Sequence, residues 1–140
     1  MQSQSYLDQL RKQGLKLTGQ RKMILHILLT ENRYMSAKEL IDQVQEQYPH
    51  ISYDTIYRNL RMLRDEHIIE ESMFEDGSAR FRIRCADPHH HHFICTRCGA
   101  TIPIEACPME LTVPAPEGFL VQSHRFEVFG VCGQCRDVTK

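Results

Sequence analysis

The 140-residue chain has no apolar run approaching the roughly 20 residues that a membrane span requires. Its first residues, MQSQSYLDQL, lack a basic region followed by an apolar block, so no secretory signal is expected. Neither sign of charge is in excess: 17 Lys+Arg stand against 18 Asp+Glu, a net charge of −1. That balance excludes binding to nucleic acid through bulk basicity and leaves only a local patch. There is no internal repeat, and no low-complexity segment apart from one run of four histidines. The chain also lacks HExxH, GxSxG and an H-x-E ahead of a P-C-x-x-C pair. A zinc hydrolase or deaminase would therefore be without its machinery, and no enzyme is expected. What remains is an ordinary globular composition, 41% hydrophobic and 25% charged. A cytoplasmic, reducing location is expected, where spaced cysteines hold metal more often than they pair as disulfides.

The residues that are present are distributed unevenly. Residues 1–84 contain 13 Lys+Arg, 12 Asp+Glu and no cysteine, whereas residues 85–140 contain all six cysteines and five of the eight histidines. The first part reads as a conventional small fold. The second is too short for a self-sufficient core and needs staples.

Residues 3–13 form a weakly periodic helix that ends at Gly14. Thr18 caps a second helix with Met23, Ile24, Ile27 and Leu28 on one stripe. Ser36 with Glu39 is a capping-box signature for a third, which buries Leu40, Ile41 and Val44 and stops near Tyr48-Pro49. Ser52 caps a fourth, in which Ile56, Leu60 and Leu63 recur at i, i+4 and i+7. Two extended runs, Ile68–Phe74 and Ala79–Cys85, meet at a turn around Asp76-Gly77. Helices followed by a hairpin is the order of a winged helix.

On the fourth helix the inward stripe leaves Tyr53, Tyr57, Arg58, Asn59, Arg61 and Arg64 for the exposed side. Arginine can bond guanine edges or phosphates and an aromatic ring can touch a thymine methyl, which suits a major groove. Arg80, Arg82 and Arg84 alternate with Phe81 and Ile83, so three guanidiniums share one face of the hairpin strand. An ordinary solvated surface accounts for the same pattern about as well.

Cys95-x-x-Cys98 and Cys132-x-x-Cys135 are two CxxC pairs separated by 33 residues. Four thiolates in that arrangement close a structural zinc site, with Gly99 and Gly133 relieving strain in the knuckles. In the stretch Cys85-Ala-Asp-Pro-His89-His90-His91-His92, alternation would send His90 and His92 to one metal and His89 and His91 to another. Cys85 can join either, and a thiolate beside imidazoles favours zinc over iron or manganese. Cys107 matches no motif and reads as a free thiol. A surface histidine cluster that takes up metal adventitiously is the alternative.

The strings DTIYRNLRML, GSARFRIRC, HHHHFICTRCG and HRFEVFGVCGQC together resemble the ferric-uptake-regulator (Fur) family of bacterial metal-sensing repressors, from about Gly14 to about Cys135. The resemblance is greatest to its zinc-uptake branch, on Cys85, the four histidines and GLKLTGQR. It implies an α+β chain: a winged-helix DNA-binding domain over 1–84, a hinge carrying metal ligands over 85–92, and a small α/β dimerisation domain over 93–140 stapled by a zinc on four cysteines. It further implies a regulatory zinc on Glu70, Cys85, His90 and His92, with Glu71 the alternative to Glu70. A third zinc would take His89, His91, Glu110 and His124, giving up to three Zn2+ per subunit. DNA contacts carry over to Lys16, Tyr53, Tyr57, Arg58, Asn59 and Arg61. A homodimer on a pseudo-palindromic, AT-rich operator of zinc-uptake genes is the implied function. An iron or peroxide sensor of the family, or a zinc store or metallochaperone, are the alternatives.

Overall fold

The computed structural model describes residues 2–84, 91–105, 107 and 114–138, and the side chains of 6–137 within them. Cys85, His89, His90 and Glu110 lie outside the described residues. The described chain divides into two compact units, Met1–Arg84 and Cys85–Lys140. No helix among the described residues is long and apolar enough to cross a membrane.

The N-terminal unit runs α1 (Gln2–Lys12), α2 (Gly19–Glu31), β1 (Met35–Ser36), α3 (Ala37–Val44), α4 (Tyr53–Asp65), β2 (Ile69–Met73) and β3 (Ala79–Ile83). Side-chain oxygens fix the helix starts, because the first N–H groups of a helix have no partner within it. Thr18 accepts from the Arg21 N–H, Ser52 from that of Thr55, and Ser36 with Glu39 makes a full capping box. At the far end of α2, Asn32 takes the left-handed conformation with φ 49°. His67 does the same after α4 with φ 61°, and the Ile68 N–H reaches back to the Leu63 carbonyl at 2.9 Å. The third helix ends earlier than its apolar pattern suggests, at Val44 rather than near Tyr48.

The strands form an antiparallel sheet in the order β1-β3-β2, with Glu70 opposite Arg82 and Glu71 opposite Phe81. Phe81 points into a single core with Ile24, Leu28, Leu40, Ile56, Leu60 and Leu63. The expected mixed winged-helix architecture is therefore present. The three arginines of the β3 segment are not equivalent, however. Arg80 stacks over Phe74 at 4.3 Å and pairs with Asp76, while Arg82 is buried near the Tyr34 ring. Only Arg84 of the three is exposed, because Tyr34 and Phe74 cover that face of the strand.

In the C-terminal unit, β4 (His91–Cys95) lies between antiparallel β5 (Thr101–Ile104) and parallel β6 (Glu127–Gly130), followed by α5 (Gly133–Val138). Gly99 takes φ 78° in the turn after β4, a conformation that costs glycine little. Gly133 has no such role. It opens α5, and a Cβ there would meet nothing within 4 Å.

Candidate metal centres and nucleic-acid face

The C-terminal sheet brings ligands together at both ends of its central strand. Cys95 ends β4 and pairs with Gly130, the last residue of β6. Cys98 sits in the turn after β4, while Cys132 and Cys135 follow β6, so two knuckles meet at one end. All four sulfurs lie within 4.8 Å of one another, with 3.8 Å between Cys98 and Cys132. A tetrahedral ion with Zn–S bonds of about 2.3 Å separates its sulfurs by about 3.8 Å, so this donor set fits zinc.

The electrostatics favour a thiolate there. Burial would push the Cys95 thiol up, but the N–H groups of Cys132, Cys98 and Arg97 donate to its sulfur and hold it at about 6. The Cys135 thiol is pushed up to about 12, first by its hydrogen bond to Cys132. Burial chiefly raises Cys98 as well. The thiolate charge of the cluster is thus favoured at Cys95 and opposed at Cys98 and Cys135.

The opposite end of the sheet carries a second cluster. His91 opens β4 opposite Ile104, the last residue of β5, and β6 begins beside His92. Cys107 shortly follows β5 and His124 shortly precedes β6, so the three residues converge. His124 Nε2 stands 3.2 Å from His91 Nε2 and 3.3 Å from Cys107 Sγ. His91 and Cys107 are buried, and the Phe126 ring packs edge-on against His91.

The structure thus unites His91 and His124 of the expected third site. His124 lies in the coil before β6. His92, the next residue of the strand, is buried and takes no part in this cluster. Cys107, which reads from sequence as a free thiol, faces His124 instead. Its only sequence signal is its residue type, because the loop that returns it to the sheet has no spacing rule.

In the N-terminal unit, α4 exposes Tyr53, Tyr57, Arg58 and Arg61, and Lys16 is exposed in the loop before α2. Arg64 is held by Asp65 and Glu71, the latter at 3.1 Å, and that hydrogen bond is the main cause of its raised pKa. The Glu71 carboxylate is thereby committed to Arg64, whereas Glu70 lies on the other face of β2.

Asn59 departs from the expectation that it lies on the exposed face. It is buried, its Oδ1 accepts from Arg21 Nε at 2.9 Å, and its Nδ2 donates to the Thr55 carbonyl at 2.9 Å. Arg21 in turn donates through Nη1 to the Lys16 carbonyl at 2.7 Å. Helical phase explains the difference: Asn59 lies three residues after Ile56 and four before Leu63, both in the core.

A profile of the Ferric uptake regulator family matches residues 12–129. The ferric uptake regulation protein of Staphylococcus aureus is 42% identical over 128 residues, covering 91% of this chain and 93% of its own. A zinc uptake regulator complexed with zinc and DNA superposes with a TM-score of 0.72 at 27% identity, covering 99% of this chain and 97% of that one. The Helicobacter pylori ferric uptake regulator, whose structure reveals three functional metal-binding sites, superposes at 0.69 and 26% identity over 96% and 93%.

Proposed function

Since the chain belongs to the ferric uptake regulator family, we propose that it is a zinc-responsive transcriptional repressor. It binds a pseudo-palindromic, AT-rich operator as a homodimer when zinc-loaded and controls zinc-uptake genes in the cytoplasm. The observation that carries the DNA reading is the exposed face of α4. Tyr53, Tyr57, Arg58 and Arg61 stand outward on a helix whose other side is locked into the core. That face suits a major groove, while exposed Lys16 suits a narrow, A·T-rich minor groove. Asn59 serves this interface from within, by fixing Arg21 and through it the Lys16 loop. A dyad of two such units would match the symmetry of a palindromic operator. Support for DNA as the partner also comes from the zinc uptake regulator that was solved with zinc and DNA.

The metal assignment rests on donor chemistry. Cys95, Cys98, Cys132 and Cys135 hold a structural zinc, which stabilises a segment too small to fold unaided. Glu70, Cys85, His90 and His92 take the regulatory zinc. His89, His91, Glu110 and His124 contribute to a third. Soft thiolate in a regulatory set discriminates against iron and manganese. Zinc joining ligands from both parts of the chain favours the DNA-binding arrangement, and linkage requires DNA to tighten zinc by the same factor.

The test is fluorescence anisotropy of a labelled AT-rich palindromic duplex, titrated through buffered free zinc. Binding should rise at scarce free zinc and reverse with chelator. Cys85→Ala should abolish the zinc response and leave a folded dimer. Normal zinc-dependent binding by that variant sinks the sensing assignment. An iron-responsive repressor is the second reading, favoured by the ferric uptake regulation proteins at 42% identity. Ferrous iron that drives operator binding where buffered zinc does not would establish it.

A further inference from the structure

We propose that Cys107 is a metal ligand, and that with His91 and His124 it makes a mixed thiolate–imidazole centre at the end of the C-terminal sheet opposite the four cysteines. This deepens the reading of a third zinc site: the resemblance supplies three histidines and one carboxylate for it, and the structure adds a thiolate.

Two of the three donor separations match a tetrahedral site. Bonds of about 2.0–2.1 Å to nitrogen and about 2.3 Å to sulfur put two nitrogens about 3.3 Å apart and a nitrogen and sulfur about 3.5 Å apart. The observed separations are 3.2 Å between the two Nε2 atoms and 3.3 Å between His124 Nε2 and Cys107 Sγ. All three donor atoms lie within 4.8 Å of one another. In both imidazoles Nε2 is the nitrogen that faces the other ring. As a hydrogen-bonded pair, one Nε2 must carry a proton and the other must not. A shared cation satisfies both as acceptors together with the sulfur.

Burial argues the same way. His91 and Cys107 are 7% and 8% exposed, so polar donors are gathered inside a unit with little apolar core to spare. The ring of Phe126 against His91 fixes the imidazole orientation, as the surroundings of metal ligands commonly do. One thiolate beside two imidazoles selects zinc or cobalt over the harder manganese and ferrous ions. Because β4 carries the four-cysteine cluster at its other end, its five residues link two centres across a rigid strand about 13 Å long.

Cobalt(II) is the probe, since thiolate ligation gives a near-ultraviolet charge-transfer band and tetrahedral geometry gives intense visible bands. The full-length chain carries Cys85→Ser, which removes the other thiolate outside the four-cysteine site, and that site is first filled with zinc. Added cobalt should bind with both sets of bands. Cys107→Ser should remove the charge-transfer band and weaken cobalt at least about tenfold, with the far-ultraviolet circular dichroism unchanged. Should that variant fail to fold, Cys107→His serves instead: it should keep the visible bands and lose the charge-transfer band. Cobalt that binds without a thiolate band, a band that survives loss of Cys107, or no cobalt uptake would each overturn the proposal. These spectra involve no DNA, so they fail or succeed separately from the operator-binding test of the repressor reading.

Discussion

Asn59→Ala separates a residue that reads DNA from one that builds the reading helix. The substitution removes two hydrogen bonds, one from Arg21 Nε and one to the Thr55 carbonyl, both at 2.9 Å. A hydrogen bond from a charged donor contributes about 1.5–3 kcal/mol and a neutral one about 1 kcal/mol. Arg21 is only half-buried, so water replaces part of the first, and the expected loss is about 2 kcal/mol. In a unit of this size each kcal/mol moves the midpoint by about 4–8 °C, giving a fall of about 8–16 °C. Circular dichroism of the helices reports on it, because α1–α4 all belong to the N-terminal unit. On DNA, the variant should weaken binding to a panel of single-base operator variants by a similar factor, since the Lys16 loop loosens without loss of a base contact. Arg58→Ala, by contrast, should change preference at one operator position. If Asn59→Ala keeps its melting midpoint and alters base preference at a single position, Asn59 is a base reader and the reasoning from burial fails.

Two further outcomes follow from local chemistry. Ser36→Ala removes the bond that the Ser36 hydroxyl accepts from the Glu39 N–H in the α3 capping box and should cost about 1 kcal/mol in urea denaturation, whereas Ser36→Asp should recover most of it. In the metal-free chain, Cys95 is held at about 6 against an ordinary thiol value of 9.0. Its contribution to stability is complete above 9 and is lost as pH falls through 6. Cys135 at about 12 acts in the opposite sense, because above 9 the unfolded chain sheds a proton that the folded chain retains. Protection of the β4 amides from hydrogen exchange in metal-free protein should therefore rise from pH 6 to 9 and decline beyond it, after correction for the intrinsic exchange rate. Corrected protection that stays flat between pH 6 and 9 would show that the Cys95 thiolate is not stabilised by those N–H groups.

The capped helices, the apolar stripes and the hairpin turn of the N-terminal unit were legible in the sequence, because each depends on residues three or four apart or on a single turn. Thr18, Ser36 and Ser52 all cap as their spacing implies. The two CxxC pairs were legible for the same reason: each knuckle is local, and four thiolates have few other uses in a reducing environment. The family was legible too, because its motifs are short and contiguous.

What only the tertiary structure decided was which side chains lie inside. The three arginines of the β3 segment alternate as the strand requires, yet Tyr34 and Phe74, distant or facing residues, bury Arg82 and stack on Arg80. Asn59 is polar and reads as exposed, but Arg21, 38 residues away, turns it into an interior bond. Cys107 carries no motif, and it meets His91 and His124 because an antiparallel strand ends and a parallel one begins at the same end of β4. Local chemistry dictates how a segment folds. The sheet register decides which segments share a site.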